Sequence, residues 1–167
     1  MKTPICEICL KSGILCPGCQ RKVVEGEISE LDIKISKLLY QLVIKYNIPK
    51  EIHFIRSKEF DDIVILMVGK NEVGNIVGKG GKILKILQKE LHKKIRVVED
   101  TSDLKKIVLD LIYPARISGI NIVYLPDGEK KKIRISHEDI KKMPINLLNA
   151  KDIISLLTGE EVDLILD

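Results

Sequence analysis

All four cysteines of this 167-residue chain lie within fourteen residues, as Cys6-Glu7-Ile8-Cys9 and Cys16-Pro17-Gly18-Cys19. A C-x-x-C turn aims two thiolates at one point, and two such turns close a tetrahedral shell with no position left for water or substrate. The pattern predicts one structural Zn²⁺ held by Cys6, Cys9, Cys16 and Cys19. Gly13 and Gly18 give tight backbone that lets amides approach the sulfurs. Lys11, Arg21 and Lys22 offset the −2 that remains when four thiolates surround a dication (−4 + 2). The competing readings are disulfides, which need an oxidising compartment, and a dithiol redox pair, which needs a βαβ context absent here. A knuckle over residues 1–24 is too short to bury a hydrophobic core, so the metal must supply its folding energy. It could grip RNA, dock a protein or cap the next domain, and the spacing does not choose among these.

Charge is informative by position. The chain totals 28 − 24 = +4, yet residues 70–96 carry eight Lys/Arg against Glu72 and Glu90, and residues 138–167 carry three Lys against seven acids. The middle is suited to an anion and the C-terminal end is not. Aromatic residues make up only 4%, too few for a reader that stacks bases on a sheet. The longest apolar run near the middle, Ile63 to Val68, is far short of the ~20 residues of a membrane span. With no signal-peptide pattern either, the chain is expected to be soluble and cytoplasmic, with no membrane partner.

Periodicity then places the elements. Val23 to Glu27 reads as a linker. Ser29 followed by Asp32 is an N-cap signature, and Leu31, Ile35, Leu38, Leu39, Leu42, Val43 and Tyr46 recur at helical spacing until Asn47-Ile48-Pro49. Ile52 to Ile55 and Ile63 to Val68 read as strands around a charged turn, the second apolar throughout and hence central. A short helix over 71–77, a Gly78-Lys79-Gly80-Gly81 turn, a helix over 82–92 and a strand over 94–99 follow. After a helix over 104–112, a hairpin about Pro126-Asp127-Gly128, helices near 138–142 and 149–157, and a strand over 162–166 repeat strand, strand, helix, helix, strand. The second half is predicted to be a copy of the first without its glycine turn.

Three glycines in four residues, with a lysine among them and helices on both sides, expose main chain where a phosphodiester can meet the N–H groups opening the next helix. The surroundings exclude two other glycine motifs. A P-loop needs four residues between its first Gly and Gly-Lys-Ser/Thr, and a dinucleotide fingerprint follows a strand, not a helix. Lys82, Lys85, Lys89 and Lys93 share one face of the following helix, as a nucleic-acid track or simply as a solvated surface.

Val73 to Leu87, centred on Gly78-Lys79-Gly80-Gly81, resembles the core of a KH domain, whose GXXG loop clamps single-stranded nucleic acid. Glu90 to Glu99, Leu111 to Arg116 and Leu156 to Leu164 are similar to the tandem type II KH domains of archaeal NusA-like transcription factors. The resemblance implies an α+β chain: a four-Cys zinc knuckle at 1–24, a type II KH domain at 28–100, and a degenerate KH-like domain at 101–167 with no glycine across Met143 to Asn149. It implies that single-stranded RNA lies over Gly78, Lys79, Gly80, Gly81 and Lys82, with bases turned toward Ile76, Val77 and Ile83 and a wall formed by Ile95, Arg96 and Val97; the alternative for Ile76, Val77 and Ile83 is that they are mostly core. The partner machine is then RNA polymerase, in transcription elongation or termination, or the ribosome or an RNA-processing assembly. A protein-interaction adaptor with a vestigial loop is the rival from another class.

No activity is predicted. His53, His92 and His137 stand apart from any nucleophile or carboxylate set, and Asp61-Asp62 and Glu160-Glu161 read as solvated turns. Lys130-Lys131-Lys132 reads equally well as a phosphate contact or as a charged edge that discourages strand-to-strand association. The chain is expected to be no enzyme and to have no small-molecule substrate.

Overall fold

The N-terminal cysteine pairs each open a short helix. Cys6 precedes α1 (Glu7–Ser12) and Cys16 precedes α2 (Pro17–Val24), so Val23 and Val24, predicted as linker, complete a helix instead. This computed structural model describes residues 1–48 and 51–167; Pro49, proposed as a helix stop, lies outside the described residues. The chain divides into two compact units, Met1–Asp100 and Thr101–Asp167.

In the first unit Ser29 and Asp32 form the predicted capping box and start α3 (Glu30–Lys45). The helix uses two faces. Ile35, Leu39, Leu42 and Val43 enter the main core, while Ile33 and Tyr40 pack on the knuckle's own cluster of Ile5, Cys9, Leu10, Cys19 and Ile28. Lys37 adds an Nζ–H bond to the Gly13 carbonyl at 2.9 Å. At the chain start, Lys2 exchanges backbone hydrogen bonds with Ile52 and Phe54 at 2.8 and 2.9 Å. Of the three knuckle functions left open by the sequence, capping the next domain is the one these contacts realise.

β1 (Phe54–Phe60) and β2 (Ile63–Val68) are antiparallel, β2 and β3 (Lys94–Glu99) parallel, giving the order β1-β2-β3 with β2 central and buried along its whole length. The charged stretch predicted as a turn is mostly strand. Arg56 to Glu59 pair with Val64 to Met67, and only Asp61-Asp62 turn. An edge strand buries one face, so its outward charged residues hide the strand pattern from composition. Between β2 and β3 lie α4 (Val73–Val77), a 3₁₀ turn Lys79–Gly81 and α5 (Lys82–Leu91). α5 ends one residue early, at a left-handed His92, so Lys93 falls outside the predicted basic stripe and pairs with Glu59.

The second unit repeats this order with α6 (Leu104–Ile112), β4 (Gly119–Leu125), β5 (Gly128–Ile135), α7 (His137–Ile140), α8 (Leu147–Thr158) and β6 (Val162–Leu166). β4 and β5 are antiparallel, β5 and β6 parallel, in the order β4-β5-β6. Apart from the knuckle helices α1 and α2, each unit is therefore helix, strand, strand, helix, helix, strand about a mixed three-stranded sheet, a KH-like arrangement. Lys130 to Lys132 sit on the central strand β5, not on an edge. Lys130 meets Asp163 at 3.2 Å and Lys131 meets Glu160 at 3.4 Å, so two of the three serve internal ion pairing.

Candidate nucleic-acid interface and metal centre

The glycine loop divides its residues between interior and exterior. Gly78 ends α4 at φ 78° and ψ 168°, and a Cβ built there would lie 2.6 Å from Cγ1 of Ile83. Its missing side chain is needed for packing, not for phosphate. Gly80 and Gly81 also have positive φ, but a Cβ on either would meet nothing within 4 Å. Bare main chain faces outward at these two positions. Gly81 is the N-cap of α5, and no side chain caps that helix; the Lys82 N–H turns back to the Lys79 carbonyl. The remaining first-turn amides of a ten-residue helix thus open beside exposed Lys79 and Lys82, where the helix dipole and both ammonium groups favour an anion.

The equivalent helix start in the second unit is closed. Asn146 Oδ1 accepts the Asn149 N–H at 2.7 Å, and Ile145 is buried in the preceding loop. That helix start thus carries a side-chain acceptor of its own, where the start of α5 has none.

Several of the side chains expected to meet bases do not face outward. Ile76 and Ile83 are 0% and 5% exposed and fill the main core, with Val77 packed against it. Ile95 and Val97 belong to the same core, and strand alternation puts the half-buried Arg96 on the opposite face of the sheet. The structure brings Lys79, Gly80, Gly81 and Lys82 together at one exposed mouth and assigns Ile76, Gly78, Ile83, Ile95 and Val97 to the packing beneath it.

A groove of about 340 Å³ adjoins that mouth, lined among others by Tyr46, Asn47, Gly74, Asn75, Lys79 and Lys82. Tyr46 ends α3, and its ring lies under Lys82 Nζ at 4.4 Å and Lys45 Nζ at 5.4 Å. The sequence reading placed Tyr46 among the apolar repeats of its helix and missed it as a groove residue. Its position at the last turn, next to a polar Asn47, was the available signal.

In the knuckle, the four Sγ atoms all lie within 4.8 Å of one another, with Cys6–Cys9 at 3.3 Å and Cys6–Cys16 at 3.9 Å. Thiolates at about 2.3 Å from a tetrahedral ion would be about 3.8 Å apart, so the donor set fits such a metal. Backbone amides also serve the sulfurs: Cys16 N–H donates to Cys9 at 3.1 Å, and Cys6 and Cys19 N–H donate to Cys19 and Cys16 at 3.4 Å. The Cys19 amide and neighbouring thiols hold Cys16 down at about 6, and the Cys9 amide and thiol lower Cys6. For Cys9 the Cys16 amide favours the thiolate, but burial and the other thiols push it up to about 12; burial first raises Cys19. Four sulfurs this close resist joint ionisation, and a dication at their centre removes that resistance. Lys11 is taken up by Glu7 at 3.0 Å, so it is less available to the thiolates than the sequence implied.

No family model matches the chain. It is 24% identical over 110 residues to the probable transcription termination protein NusA of Methanococcus vannielii. That stretch covers 63% of each protein, so the chain spans less than two thirds of the relative's length. It is also similar to the crystal structure of APE1850, at a TM-score of 0.54 and 29% identity, covering 77% of this chain and 96% of that one. The sequence likeness carries the resemblance read from the glycine loop as far as similarity to a NusA-like protein.

Proposed function

We propose that this chain is a non-catalytic, cytoplasmic single-stranded RNA-binding protein acting with RNA polymerase in transcription elongation or termination. The carrying observation is the uncapped start of α5, framed by outward-facing Gly80 and Gly81 and by Lys79 and Lys82. A phosphodiester can accept from the first-turn amides there, and the two ammonium groups add a salt-sensitive attraction. The likeness to a probable transcription termination protein supports the transcriptional setting. Zn²⁺ on Cys6, Cys9, Cys16 and Cys19 completes the reading as a structural ion, because four thiolates leave no open coordination position.

The loop is tested by Lys79→Asp combined with Gly80→Asp, which sets two carboxylates on the phosphate path at exposed positions. Fluorescence anisotropy with single-stranded RNA at fixed salt should show at least a tenfold loss of affinity. Unchanged affinity in a folded double variant would remove the reading.

A further inference from the structure

The groove beside the glycine loop has chemistry that phosphate binding leaves unused. One side is the open start of α5; the other is the last turn of α3, where the terminal carbonyls make the negative end of a sixteen-residue helix. An anion favours the first side. The second favours hydrogen-bond donors, such as the ring N–H and exocyclic amino groups of a nucleobase, and the exposed Asn47 amide adds both a donor and an acceptor. Between them lies a planar surface, the Tyr46 ring, and the exposed main chain of Gly74, beside which a Cβ would meet nothing within 4 Å. The volume of about 340 Å³ falls at the low end of small-ligand sites, enough for one nucleotide.

The composition sharpens this. The chain has two Phe and four Tyr. Phe54 is in the core and Tyr40 packs against the knuckle, while Tyr46 lines the groove at the loop. Lys82 covers its ring by an ammonium on a flexible, exposed side chain. A stacked base interacts with the ring more strongly than an exposed ammonium does, and the displaced ammonium stays within reach of the neighbouring phosphate.

We infer that Tyr46, with Asn47 and Lys82, forms a nucleotide subsite that adds one stacked base to the single strand held at the glycine loop. The inference rests on the RNA reading above and extends it from backbone to base.

Anisotropy titrations of the full, metal-loaded chain with eight-nucleotide oligoadenylate and oligouridylate test it. Tyr46→Ala should weaken binding about tenfold, and Tyr46→Phe should stay within about twofold of the parent, because the stacking face is retained. Oligoadenylate carrying 2-aminopurine should lose fluorescence on binding the parent and keep it on the Ala variant. Because Tyr46 also touches the core, Gly74→Glu serves as a second variant: it fills the groove from an exposed position and should weaken binding by a similar factor. Full affinity and full quenching in either folded groove variant overturn the subsite. If the Lys79→Asp, Gly80→Asp chain loses binding while both groove variants keep it, the loop reading stands and the subsite falls. If that double variant binds like the parent, the loop reading itself fails.

Discussion

Gly78 and Gly80 sit two positions apart with positive φ, and their surroundings give them opposite sensitivities. At Gly78 a methyl group would meet Ile83 Cγ1 at 2.6 Å, in a backbone conformation that is essentially glycine's alone. Overpacking and backbone strain together should cost Gly78→Ala about 3 kcal/mol of first-unit stability. Gly80→Ala meets open space and bears only the left-handed penalty, about 1 kcal/mol. Urea denaturation of the two variants side by side should rank them in that order; equal losses would contradict the packing assigned to Gly78. The sequence showed three glycines as one stretch of bare main chain, because a glycine letter does not say which side of the backbone is enclosed. Ile76 was assigned to the bases for a related reason. α4 is only five residues long, and over so short a span helical spacing cannot separate an inward residue from one facing a ligand.

Among the elements, those with long periodic patterns were legible and those whose outer face is charged were not. α3 announces itself through its capping box and seven apolar repeats, and β2 through an unbroken apolar run. β1 hides behind Arg56, Lys58 and Glu59, since a strand pairs through its backbone whatever its outward side chains are; β5 was legible as a hairpin strand, but its three lysines pointed to an edge where the sheet puts it at the centre. What those lysines do depends on β6. Asp163 lies 3.2 Å from both Lys130 and Lys151, whose ammonium groups, Lys151 first, hold its carboxyl below the ordinary range. A carboxyl with a lowered folded pKa contributes stability that is present above its unfolded value, near 4, and is lost as pH falls through the folded value. Asp163→Asn should therefore destabilise the second unit at pH 7, by about 1 kcal/mol or less because the pair is partly exposed. The difference from the parent should shrink below pH 4. A gap in denaturation midpoint that persisted undiminished at pH 2 would place the effect in packing instead of in the ion pair.

Across the molecule, two local charge excesses have different fates. The positive one over residues 70–96 stays largely exposed on the loop and α5, at Lys79, Lys82, Lys85 and Lys89. The negative one near the C-terminus is partly neutralised within its own unit by Lys130, Lys131 and Arg134 of β5. Only the positive excess can attract a polyanion, which is why RNA is expected at the glycine loop of the first unit and not at the second unit. The knuckle enters through α3, the helix that carries Ile33, Lys37 and Tyr40 toward the cysteines and Tyr46 toward the groove. Its own cluster buries three aliphatic side chains, Ile5, Leu10 and Ile28, and two of the clustered cysteines, little with which to order some two dozen residues unless a metal joins the four sulfurs. Purified protein should contain about one zinc per chain. Chelation should then abolish hydrogen-exchange protection over residues 5–28 and lower it along α3, where the Ile33 and Tyr40 contacts and the Lys37–Gly13 bond are lost. Residues 101–167 should keep theirs, because that unit has its own sheet and helices. Protection that survives over residues 5–28 in metal-free protein would mean the cysteines are not what holds the knuckle against α3.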